Sequence, residues 1–195
     1  MEGTKLRSSY IIAFVKFFFF LIFFCFMIVI TKNFVKGLRA LPEFQTVVFY
    51  LGILSTFIFY IFIADLDGVY EKIQHFFFRN STFNLVVPSL LILLTLGYFV
   101  IPKLFKFAFD KNSFLFLGSV LFIVHLIFVA RQIRNPSFIG FINYVFLFSL
   151  LYILTLFLLG LYLRVGYNIH LVRVLILSFK ESFSIVKDIF GQLTT

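Results

Sequence analysis

The sequence predicts an all-α, polytopic integral membrane protein: a bundle of about five transmembrane helices followed by a C-terminal amphipathic interfacial helix. Two observations predict that class. The 195 residues are 62% hydrophobic and 13% charged, with mean hydropathy +1.10, and a water-facing domain of this size cannot hide so much apolar surface. Those residues also gather into runs of about 20, the length at which a helix satisfies its own backbone across a bilayer core. Phe supplies 34 residues and Trp none, a bias of composition and not of function.

The first run covers residues 11–30. Its exit, VITKNF, lacks the small-residue cleavage pattern of a secretory signal, so it reads as a retained span. Lys16 lies inside it, with a stem long enough to snorkel to the surface. The second run, residues 46–64, places Gly52 and Thr56 at the small-xxx-small spacing that lets helices approach closely. The third, residues 85–101, carries Pro88 in its first turn, where proline costs little, and Pro102 and Lys103 at its exit. The fourth, residues 114–130, ends at Arg131 and Arg134, and the fifth, residues 139–163, is the longest.

These runs form a transmembrane unit over residues 1–167, and residues 168–195 form an amphipathic helix and tail. Val172, Leu175, Ile176, Phe179, Phe183, Val186 and Phe190 recur at helical spacing, opposite Arg173, Lys180, Ser184 and Lys187. Leu177 interrupts the polar face. Such a helix suits the headgroup plane or a docking site on another subunit, with Arg173, Lys180, Lys187, Phe179 and Phe183 as the contact residues.

The formal charge of +9 comes from Lys and Arg between the runs, where they anchor helix ends to anionic headgroups. No nucleic acid partner is expected. Counted over five spans, ten Lys and Arg fall on the C-terminal side and seven on the other, which places the C-terminus in the cytoplasm. A bacterial inner membrane or an organelle membrane fits this pattern. The single Cys25 excludes an intrachain disulfide and a multi-Cys metal site, and no cofactor is expected.

Two places carry candidate chemistry. The stretch ADLDGVYEKIQHFFFR, residues 64–79, holds Asp65, Asp67 and Glu71, three of the eight acids in the chain. Paired carboxylates where a span meets water can hold a divalent cation against a lipid-linked phosphate. The DLDG string is similar to the metal motif of head-group transferases acting on CDP-alcohols. However, its Asp spacing is one residue short, the Ala-Arg pair is missing, and no acid follows Glu71 until Asp110. The activity is therefore not carried over. The preferred reading is a short interfacial helix capped by Asp67, with Val69, Ile73, Phe76 and Phe77 on its apolar face and Glu71 paired to His75.

His125 is the second candidate, an ionisable group deep in the fourth run. It reads either as a proton relay or as one end of an interhelical hydrogen bond to a Tyr or Ser. Tyr10, Tyr70 and Tyr167 lie near proposed boundaries, where amphipathic rings are favoured, and Asn80 opens an NST sequon. No nucleophile set or Gly-rich phosphate loop stands out. The function expected is that of a non-catalytic accessory or structural subunit, in contact with the bilayer and with other membrane subunits or copies of itself. The alternatives are a small oligomeric transporter or channel using His125, and a membrane enzyme using Asp65 and Asp67.

Overall fold

Every apolar run coils into a helix, because a helix needs no outside partner for its backbone. The computed structural model describes residues 2–62, 66–105, 110–134 and 138–193; for residues 2–10, 67, 138, 139, 190 and 193 it describes the backbone alone. Among the described residues the chain is all-helical: α1 Glu2–Arg39, α2 Thr46–Phe62, α3 Leu66–Phe77, α4 Ser81–Val86, α5 Ser89–Phe105, α6 Lys111–Gln132, α7 Phe138–Tyr167 and α8 Leu171–Leu193. Three of these, α1, α6 and α7, are long and apolar enough to cross a membrane. The apolar helices α2 and α5 have 17 residues each, about 25 Å at 1.5 Å per residue.

Side-chain contacts set the helix directions. Phe23 meets Phe146 and Thr31 meets Tyr152, so α1 and α7 run parallel. Phe114 meets Tyr162 and Phe122 meets Tyr152, so α6 runs against α7. The core lies where these helices converge: Ile30, Phe34 and Leu38 of α1, Phe114 and Leu115 of α6, and Leu159 and Leu163 of α7.

Two glycines allow the closest approaches. A Cβ on Gly118 would overlap the Tyr162 ring, which stacks on Phe114 at 4.0 Å while its hydroxyl donates to the Phe114 carbonyl at 2.5 Å. A Cβ on Gly52 would stand 2.7 Å from the Phe116 carbonyl oxygen, so only glycine lets α2 lie this close to α6. Thr56, one turn further on, is fully buried and returns its hydroxyl to the Gly52 carbonyl.

Four sequence expectations need correction. The third run is not one helix from residue 85: Pro88 pushes Val87 into an extended conformation, which ends α4 and restarts the chain as α5. Nor does that run stop at Pro102. Proline there removes one N–H from the last turn, and α5 continues to Phe105. Lys16 does not simply snorkel; its ammonium donates to the Asn143 side chain of α7 at 2.8 Å. Tyr167 ends α7, where a boundary ring was expected, but it is buried there and donates to the Lys111 carbonyl at 2.9 Å. Tyr10 lies outside the described side chains.

Helix α8 also departs from expectation. Its partner is α1 of the same chain, alongside which it runs antiparallel: Val174 faces Gly37, Ser178 accepts from Asn33 at 3.2 Å, and Phe179 meets Phe26. The seam is made by Leu171, Val174, Ser178 and Ser182, all buried. Small serines let the helices approach, and Glu181 pairs with Lys32 at 2.6 Å beside them. The face expected to be apolar exists but points outward, with Phe179 and Phe183 about 70% exposed. Arg173, Lys180 and Lys187 are exposed, as their spacing suggested.

Asp110 caps α6, accepting from the Ser113 amide at 3.0 Å, and that hydrogen bond holds its carboxyl below the ordinary carboxylate range. A lowered folded-state pKa contributes stability above the unfolded value, and this is lost as pH falls through the folded value. Thermal unfolding in detergent between pH 7 and pH 3 is therefore expected to show a component that Asp110→Asn abolishes, because the amide still caps without titrating. Separately, Gly52→Ala is expected to destabilise the chain by about 1–3 kcal/mol, since its methyl meets backbone that cannot turn aside. A melting temperature equal to wild type would refute that reading of the α2–α6 seam.

Candidate functional site

The break between α4 and α5 is where polar chemistry concentrates. Ending a helix frees its last carbonyls, and starting another frees its first N–H groups. One side chain answers both. Gln74 of α3, fully buried, donates from Nε2 to the Val87 carbonyl at 3.1 Å and lies 3.3 Å from the Asn84 carbonyl. Its Oε1 accepts from the Ser89 amide at 3.1 Å. The amide thus acts as a clasp across the break, matching acceptors with its donor and a donor with its acceptor.

His125 reaches the same place from α6. The Tyr70 hydroxyl lies 2.9 Å from His125 Nδ1, and Gln74 Nε2 lies 3.3 Å from that nitrogen. Burial raises the Tyr70 pKa, so its hydroxyl stays protonated and serves as donor to Nδ1. That assignment leaves the ring proton on Nε2, which has no hydrogen-bond partner among the described residues. Ring contacts with Tyr70 and Phe128 hold the imidazole in place.

Among the described residues, three buried polar atoms here have no hydrogen-bond partner: His125 Nε2, Asn84 Oδ1 and Ser89 Oγ. Asn84 connects the cluster to the surface. Its Nδ2 is 2.9 Å from His75 Nδ1, and His75 Nε2 is 3.6 Å from the Glu71 carboxylate, which also accepts from Gln132. The expected Glu71–His75 pair is present.

Helix α3 turns its apolar face away from the bundle. Tyr70 and Gln74 point inward, while Val69, Phe76 and Phe77 are exposed, Phe76 at 83%. Asp67 was expected to cap this helix but already lies inside it, and its side chain is outside the described residues. Asp65 is likewise outside the described residues. Among the described residues, no group of three or more His, Cys, Asp or Glu side chains comes together. Asn80 serves as the N-cap of α4, accepting from the Thr82 amide at 2.9 Å.

Sequence reasoning found His125 and named Tyr as a possible partner, but it missed Gln74, Asn84 and Ser89. The signal was the Val87–Pro88 step: a proline inside an apolar run frees backbone groups, and a nearby Gln is the side chain able to serve both kinds.

Comparison with protein-family models, curated proteins and solved structures finds no match. The cluster must therefore be read from its own geometry. It joins α3, α4, α5 and α6 at one point, and Gln74 alone makes its three hydrogen bonds to backbone.

Gln74→Leu would leave the Val87 and Asn84 carbonyls and the Ser89 amide unpaired, at about 1–3 kcal/mol for each group that cannot relax. Tyr70→Phe and His125→Phe each remove two side-chain hydrogen bonds, sharing the Tyr70–His125 bond, at about 1 kcal/mol for each bond, and leave the backbone groups of the break capped. Thermal unfolding of the three variants in one detergent is expected to rank Gln74→Leu well below the other two. Equal losses would mean that the clasp contributes no more than an ordinary hydrogen bond.

Proposed function

We propose that the chain is a multi-pass membrane protein whose five long apolar helices, α1, α2, α5, α6 and α7, enter the bilayer, and that it serves as a non-catalytic accessory or structural subunit of a membrane complex. One observation carries the membrane part of this reading. The most apolar stretch of α1, with mean hydropathy 2.8, has only 6% of its residues buried inside the chain. Phe14, Val47, Ile61, Phe62 and Phe105 also face outward. Gln74, His125, Ser119 and Thr155 are buried instead. In water that arrangement would expose a large continuous apolar surface, whereas in lipid it places each group where it costs least.

The subunit part rests on how the interior polar groups are used. Gln74 caps backbone, Thr56, Ser119 and Thr155 return their hydroxyls to carbonyls one turn back, and Lys16 ties α1 to α7. The Gln74 and Lys16 bonds join helices, and the three hydroxyls serve their own helix. A second reading, an oligomeric transporter or channel working through His125, draws on the unpartnered His125 Nε2, Asn84 Oδ1 and Ser89 Oγ beside a broken helix.

The chain is expected to remain in the membrane through alkaline carbonate extraction. Native mass spectrometry after gentle extraction is expected to find it with other proteins in fixed ratio, and His125→Phe is expected to leave that assembly intact. A pure homo-oligomer whose proton-dependent flux is lost in His125→Phe would establish the second reading. Release by carbonate would remove both.

A further inference from the structure

The corner between α7 and α8 forms a cavity of about 580 Å³, within the range of small-molecule sites. Its construction starts with Asn168, whose backbone adopts φ 52 and whose amide bonds the Arg164 carbonyl, the left-handed cap that ends a helix and turns the chain. Ile169 and Leu171 then plug into the core, Leu171 against Gly160, so the corner is pinned to the bundle. The turn brings Arg164 from the last turn of α7 and Arg173 from the first turn of α8 to the same cavity, with His170 and Asn168.

The carboxylates that form ion pairs among the described residues do so elsewhere: Glu43 with Lys111, Glu71 with His75, and Glu181 with Lys32. Both guanidiniums are exposed at the cavity and meet no such partner among the described residues. The rest of the lining is apolar: Val172, Ile176 and Leu177 are each at least 50% exposed. Leu177, which spoils the polar face in the sequence, is part of this wall. The apolar strip continues along α8 to Phe179 and Phe183.

We infer that this cavity binds one anionic phospholipid, its phosphate held between Arg164 and Arg173 and its acyl chains laid along Ile176, Leu177 and Phe179. Guanidiniums pair with phosphate oxygens through charged, often bidentate hydrogen bonds. A basic pocket beside helices that enter a bilayer meets such headgroups at the membrane surface. A soluble phosphate would use the arginines and leave the apolar wall exposed; a lipid uses both. This inference rests on the membrane reading above and goes beyond it, because arginines acting only as helix-end anchors need no cavity.

The test loads delipidated full-length protein in detergent with equal amounts of dioleoyl phosphatidylglycerol and dioleoyl phosphatidylcholine and counts retained lipids by native mass spectrometry. Wild type is expected to retain one phosphatidylglycerol with about tenfold preference. Arg164→Gln/Arg173→Gln is expected to lose that preference, with each single variant in between. The control Arg79→Gln/Arg134→Gln removes the same charge elsewhere and is expected to keep it. Equal loss in both double variants, no preference in wild type, or displacement of the lipid by 10 mM inorganic phosphate would each overturn the inference. Flotation of the same samples with liposomes separates the two readings. Protein that fails to float with any liposome has failed the membrane reading, whereas protein that floats without headgroup preference has failed this one.

Discussion

A buried backbone group without a partner costs more than most side-chain contacts return, and the arrangement of this bundle follows from that constraint. Pro88 makes such groups unavoidable by splitting an apolar run in two. Gln74 resolves the conflict, and to do so α3 must turn a polar face inward against α4, α5 and α6. The short α3 and α4 thus follow from the break as much as from their own propensities. Tyr70 and His125 come together as flanks of the clasp, which explains why an imidazole can sit this deep without an acid beside it.

Much of the helical layout was legible in the sequence, because long apolar runs and their basic ends are strong signals. The run at residues 114–130 lies within α6 and the run at 139–163 within α7. Gly52 and Thr56 were recognised as a close-approach pair, and they line the α2–α6 seam. Faces were read in part. For α3 and α8 the apolar spacing was read as an interfacial face, and in both helices that face points out of the bundle. The opposite side was missed: where the surroundings are apolar, outward Phe76 or Phe179 loses nothing and polar groups compete for the interior. Gln74, Ser178 and Ser182 take those inward positions.

Polar groups in the bundle divide between those that serve their own helix and those left with buried or exposed capacity to spare. Thr56, Ser119 and Thr155 donate their hydroxyl protons to carbonyls one turn back. At the α4–α5 break and at the α7–α8 corner, capacity remains, as neutral unpaired atoms in the first place and as exposed guanidiniums in the second. The first is enclosed by protein and the second opens outward, so the two are suited to different tasks: one to internal cohesion, the other to the medium around the bundle.

The antiparallel seam between α1 and α8 carries a consequence for the order in which the chain is made. Lys32 and Asn33 emerge early, yet their shared partner Glu181 lies about 150 positions later, so the seam cannot close until nearly all the described chain has been synthesised. Until then α1 leans on α7, and α7 itself arrives late. A chain stopped before residue 171 would present the Gly37 and Asn33 strip of α1 without α8 to cover it. Closing that strip therefore distinguishes a finished bundle from an interrupted one.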